Sequence, residues 1–113
     1  MSDQRLIVWQ YAADLAVEMM PFTKLLPLER YGLSAQMRRA AVSIASNIAE
    51  GYPRKRGSED HRQFMRIALG STSELETQVI IAKRTGFIRD TDAEKVESLL
   101  DHVQRLLGCV RFR

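Results

Sequence analysis

Apolar residues recur in alternating steps of four and three along the first quarter of the chain, at Val8, Ala12, Leu15, Met19, Phe22 and Leu26. That spacing puts them on one face of a helix, predicted over residues 4–25. A second apolar stripe, Trp9, Ala13, Ala16 and Met20, lies one residue round. One stripe is enough to face the interior of a bundle. The second therefore predicts either burial against another copy of the chain or a deeply central position for this helix. Pro21 removes a backbone hydrogen bond and is expected to kink the helix or end it early.

Pro27, Tyr31 and Gly32 mark a connection, and Ser34 is the expected N-cap of a second helix over 34–50. Met37, Ala41, Ile44 and Ile48 form its buried side. Gly51 is expected to close it as a left-handed C-cap, and Pro53 prevents continuation. Ser58, followed by Glu59 and Asp60, opens a third helix over 59–85, where a hydroxyl cap and early acids suit the positive end of the helix dipole. Phe64, Ala68, Ser71, Leu75, Val79 and Ala82 trace its inner face, and Gly70 with Ser71 is expected to allow close helix approach. Thr85-Gly86 closes it, and Thr91-Asp92-Ala93-Glu94 reads as the capping box of a last helix over 92–110. There Val96, Leu99, Val103, Leu106 and Val110 keep the period. With no alternating strand run and no repeat at solenoid spacing, the pattern predicts an all-α protein. Short connections between long amphipathic helices make it an antiparallel up-and-down four-helix bundle, one domain over 1–113.

Hydrophobic residues at 45% and charged residues at 27% match a packed domain rather than a disordered chain. Seventeen Lys and Arg against fourteen Asp and Glu leave a net +3, with a sequence pI near 9.4, enough to raise a nucleic-acid partner. Cys109 is the single cysteine, so no internal disulfide is available. No stretch approaches the roughly 20 apolar residues of a membrane span, and the N-terminal residues do not read as a secretion signal. The expected location is cytoplasmic.

The positive charge is concentrated. Arg54, Lys55 and Arg56 follow Gly51-Tyr52-Pro53 directly, and Arg62 and Arg66 continue the strip at i, i+4, so residues 51–66 carry +3 against Glu59 and Asp60. Residues 90–101 carry −4. Cations just ahead of a helix N-terminus can hold phosphate together with free N–H groups, or they can be a solvated face. The segment G-Y-P-R-K-R-G-S is no nucleotide loop: it lacks lysine before serine and follows a helix instead of a strand. On the second helix, Arg39, Ser43, Asn47 and Glu50 share a face. Against the third helix this predicts a polar seam with Ser71 and Glu74, including an Arg39–Glu74 ion pair and Glu50 level with Arg62. His61, His102 and Cys109 have no partner set for metal binding or nucleophilic catalysis, and read as surface or packing residues. No catalytic site, metal or cofactor is expected.

Two runs carry a resemblance: Q-M-R-R-A-A-V-S-I-A-S-N-I-A-E-G at 36–51 and I-A-L-G-S-T-S-E-L-E-T-Q at 67–78. They resemble the two signatures of a bacterial four-helix bundle family whose founding members are encoded within 23S rRNA intervening sequences. The accessory proteins of diversity-generating retroelements are similar to the same family. Trp9 before the first signature and Gly86-Phe87 after the second extend the match. The resemblance implies a ring-like homopentamer without a recognised catalytic site, and a positive surface that meets nucleic acid and a reverse transcriptase in the retroelement relatives. The resulting expectation is a non-enzymatic, homo-oligomeric bundle presenting basic loops to RNA or DNA. The alternative is a protein-interaction scaffold that binds no nucleic acid.

Overall fold

The computed structural model describes residues 3–111, with side chains as far as Gly108. The side chains of Cys109 and Val110 lie outside the described residues. Four helices occupy nearly all of the chain: α1 Gln4–Thr23, α2 Tyr31–Gly51, α3 Glu59–Arg84 and α4 Asp90–Arg111. Each packs against its neighbours in chain order and α4 closes on α1, leaving α1 and α3, and α2 and α4, as the diagonals. This is an antiparallel up-and-down four-helix bundle. No described helix is long and apolar enough to cross a membrane.

The first apolar stripe is the core strip of α1: Val8, Ala12, Leu15 and Met19 are fully buried, and Phe22 and Leu26 nearly so. The second stripe is split: Trp9 and Met20 are 38% and 39% exposed, while Ala13 and Ala16 are half-buried and Ala16 packs against the core. Asp3 caps α1 by accepting from the Arg5 N–H at 2.9 Å. Helix α1 ends at Thr23 instead of residue 25, with Pro21 accommodated inside its last turn. In the last turn a missing N–H disrupts few bonds, and the Thr23 hydroxyl donates to the Met19 carbonyl at 2.8 Å.

Several expected boundaries move for local reasons. A single 3₁₀ turn, Leu28–Arg30, feeds α2, which starts at Tyr31, so Ser34 is not a cap. Ser34 is buried inside the helix, and its hydroxyl donates to the Thr23 carbonyl at 3.4 Å, tying α2 to the end of α1. Helix α4 starts at Asp90, two residues early, and the Thr91–Glu94 capping box does not form. Asp92 instead reaches back to accept from the Arg89 N–H at 3.0 Å, the acid-to-backbone half of such a box shifted by two positions. Ser58 does cap α3, accepting from the His61 N–H at 3.2 Å.

Glycine roles also change. Gly51 is not left-handed; the positive φ values belong to Gly57 and Gly86. Gly51 is instead the point of close approach, where an added Cβ would stand 2.8 Å from Phe64 Cβ and 2.6 Å from Met65 Cε. Gly70, expected in that role, has nothing within 4 Å of its would-be Cβ. On α3, Ala68, Leu75, Val79 and Ala82 are buried as expected, while His61, Met65 and Thr72 take the interior in place of Phe64 and Ser71, which sit at the edge. Likewise Leu100 and Leu107 replace Leu99 and Leu106 at the centre of α4. Adjacent stripes on one helix are nearly equivalent by period, so packing against two flanking helices decides the rotation.

Candidate nucleic-acid interface

The loop between α2 and α3 presents the basic cluster, and its shape comes from three elements. Tyr52 continues the α2 geometry, with its N–H bonded to the Ile48 carbonyl at 2.9 Å. Arg54 N–H then turns back to the Gly51 carbonyl at 3.1 Å, and Ser58 N–H to the Lys55 carbonyl at 3.0 Å. Gly57, at φ 84°, makes the left-handed step into α3, which a side chain would resist. From α1, Arg5 donates to the carbonyls of Tyr52 at 3.0 Å and Arg54 at 3.4 Å. Its guanidinium also lies 4.8 Å from the centre of the Tyr52 ring. Arg5 in turn pairs with Asp3 at 2.8 Å, and Asp3 also receives Arg56 at 3.0 Å. The Arg5 hydrogen bond is the main reason the Asp3 carboxyl is held down at about 2.

Four of the five cations have partners. Arg54 stands 3.9 Å from Glu50 and 5.4 Å from the centre of the Phe64 ring. Arg62 pairs with Glu59 at 3.4 Å and donates to the Gly57 carbonyl at 2.7 Å. Arg66 also pairs with Glu59 and donates to Gln63 Oε1 at 2.9 Å. Lys55 is exposed, with no ion pair among the described residues. The arginine side chains of these pairs remain 41–46% exposed. Glu50 and Glu59 are mostly exposed, so the pairs of Arg54, Arg62 and Arg66 are weak and an incoming phosphate can exchange with those carboxylates, whereas Asp3, the partner of Arg56, is only 11% exposed.

The polar seam forms in part. Ser43 Oγ and Ser71 Oγ stand 3.1 Å apart, and the Asn47 amide donates to the Ser43 carbonyl at 2.8 Å and to its hydroxyl at 3.1 Å. The Arg39–Glu74 ion pair does not form within 4.0 Å. Both residues line an open groove between α2 and α3 with Gln36, Ala40, Ser43 and Gln78. Glu50 meets Arg54 rather than Arg62. These groups lie at the solvated rim, where water satisfies charge and holding two long side chains costs rotamer entropy.

His61 is fully buried, with neither ring nitrogen hydrogen-bonded. Burial, reinforced by the charges of Arg5, Arg56 and Arg62 and opposed by Asp3, pushes its pKa below the usual histidine value. His102 is exposed; its Nδ1 lies 2.8 Å from the Ser98 carbonyl and its ring stacks on Tyr11 at 5.1 Å. Among the described residues no His, Cys, Asp and Glu cluster stands in a metal-holding arrangement. Sequence reasoning missed Asp3, Arg5 and Trp9 as parts of this end of the bundle. They lie some 40 to 50 residues from the loop they adjoin, and no local spacing links them to it.

Fold and site together define a small all-helical bundle with one charged, loop-bearing end fastened to the start of its first helix. The chain belongs to the 23S rRNA-intervening sequence protein family, whose match spans residues 4–109. No curated protein matches it. Among solved structures it is similar to a protein of unknown function from the S23 ribosomal protein family of Bacteroides thetaiotaomicron. That likeness has a TM-score of 0.87 and 23% identity, and covers 98% of this chain and 100% of the other. At that identity the likeness speaks for the fold.

Proposed function

We propose that this protein is a non-enzymatic, cytoplasmic accessory or scaffold protein that self-associates and presents its basic loops to the phosphate backbone of nucleic acid. The observation that carries this reading is the pinned loop, with Arg54, Lys55 and Arg56 exposed on a backbone held by Arg5. Arg62 and Arg66 extend the contact along α3. Exposed apolar residues on and just after α1 support self-association: Trp9 and Met20 of the second stripe, Val17 beside it at 69% and Leu28 in the connection that follows at 88%. The homopentamer implied by the family resemblance would repeat the basic loop around a ring, and attraction to a polyanion grows with each phosphate engaged. One observation favours the competing reading, a protein-interaction scaffold without nucleic acid: four of the five cations already have acidic neighbours.

Binding of labelled single-stranded RNA and duplex DNA across a salt series, with protein of measured assembly mass, separates the two. Phosphate contact predicts that log affinity falls with log salt by roughly 0.7 to 0.9 per contact. Replacing Arg54, Lys55 and Arg56 together by Ala is then expected to lower that slope by about two to three units. Absence of binding at physiological salt makes the scaffold reading the better one, and a monodisperse monomer at micromolar concentration sinks self-association.

A further inference from the structure

Beside the basic loop, α1 and α2 form an apolar groove of about 270 Å³ lined by Leu6, Trp9, Ala49 and Tyr52. Trp9 and Leu6 are each more than a third exposed. Ala49 leaves the groove open between the two aromatic residues, and it also lines the adjoining groove with Pro53 and Arg54. Tyr52 is held in place, its ring engaged by the Arg5 guanidinium and its carbonyl by the same group. The aromatic slot therefore adjoins a groove that holds Arg54 beside Glu50, with Lys55 next along the loop. Sequence spacing offers Tyr52 and Phe64 as the aromatics near those cations; the fold adds Trp9 from the other end of the chain's first half.

We propose that this groove takes an unpaired base of a single-stranded nucleic acid, stacked on Trp9 and Tyr52 while Arg54 and Lys55 hold the flanking phosphates. The inference rests on the phosphate-binding reading of the loop and narrows its ligand class. Proteins that bind single strands combine an aromatic platform with a cationic track in this way, and every base has a face that can stack. A duplex keeps its bases paired and stacked, so it can engage the cations but not the slot. The larger apolar exposure available to a second copy of the chain lies elsewhere. The more exposed apolar residues, Val17, Leu28 and Tyr31, lie away from Arg54 and Lys55 along the chain.

Trp9 is the single tryptophan, so its fluorescence reports on the slot directly. A short single-stranded RNA, the same sequence as DNA, and the corresponding duplex are titrated into the intact protein. Either single strand is expected to quench Trp9 strongly, the stronger of the two identifying the sugar preferred, while the bound duplex quenches it little. Trp9→Ala is expected to lower the ratio of single-strand to duplex affinity about tenfold, and Trp9→Phe to restore most of it. Single-strand binding that depends on Arg54, Lys55 and Arg56 but leaves Trp9 fluorescence and that ratio unchanged overturns the slot and leaves the phosphate reading standing. No binding to any of the three nucleic acids overturns both. A loss of assembly mass on Trp9→Ala, with Trp9 emission that depends on protein concentration alone, assigns the groove to a second copy and overturns the proposal.

Discussion

Residues 51–66 and residues 90–101 carry opposite charge, +3 against −4, and hold it in different ways. In the basic segment the decisive contacts come from far along the chain: Asp3 to Arg56, and Arg5 to the Tyr52 and Arg54 carbonyls. In the acidic segment the pairs are local or tie α4 to the two helices that flank it, side chain to side chain. Arg89 meets Asp92 at 3.0 Å, Lys83 meets Asp90 and Glu97 at 3.2 Å each, and Lys95 meets Glu18 at 3.2 Å. The acids of α4 sit on a regular helix whose backbone is already hydrogen-bonded, so their position does not depend on those pairs. The basic loop has little regular backbone of its own, and its shape is set by a few contacts from α1 and α3. Loss of one contact should be felt at the basic end and absorbed on the acidic flank.

The largest expected effect breaks the basic end from below. Gly51→Ala places a methyl group against Phe64 Cβ, which is fixed to the α3 backbone and cannot swing aside. Denaturant unfolding should show a loss of about 1–3 kcal/mol. Gly70→Ala, with open space around it, should be stabilising by about 1 kcal/mol, because alanine is the better helix former. Equal effects at the two glycines would remove the distinction.

A pH series sharpens it next. The folded-state pKa of His61 lies below its ordinary 6.5, chiefly through burial, so the unfolded chain takes up this proton first. His61 thus predicts stability that falls as pH drops below 6.5, by at most about 1.4 kcal/mol per pH unit for one proton. Asp3 acts in a separate window: its depressed pKa supports stability above 3.8, lost as pH falls toward about 2. His61→Met should flatten the upper window and leave the lower one. Unfolding measured from pH 7 to 5 with an unchanged midpoint would contradict the lowered pKa of buried His61.

Smaller effects are expected on the acidic flank. Lys83→Met removes both ion pairs of this half-buried lysine, and the melting midpoint should move less than for Gly51→Ala, with the difference shrinking at high salt. Glu94→Gln with Asp101→Asn should leave the fold intact and tighten nucleic-acid binding only at low ionic strength, where unscreened repulsion of phosphate operates. A large change from either variant would make the flank a functional surface in its own right.

The helices were legible because each repeats one strong local signal. Val8, Ala12, Leu15 and Met19, or Met37, Ala41, Ile44 and Ile48, are buried in the structure as their spacing implies. Helix ends were less legible. Ser34 looks like a cap, but a 3₁₀ turn starts α2 before it, and Asp92 serves the α4 terminus from a position two residues off the expected motif. The cations of the loop could be read directly from Arg54, Lys55 and Arg56. Their setting could not, because Arg5 reaches the loop backbone, and Trp9 the groove beside Tyr52, across more than 40 residues.

By itself, the sequence determined the number of helices, their apolar stripes, their antiparallel order and the concentration of positive charge in one connection. Periodicity, turn residues and charge are properties of neighbouring positions, so they can be read along the chain. Only the tertiary structure decided which of two adjacent stripes turns inward on α3 and α4, which glycine permits close approach, and which distant residues complete the basic end. Those outcomes depend on how side chains from separate helices fill shared space. Packing density makes that a property of the assembled bundle, since no single helix carries the shape of its neighbours.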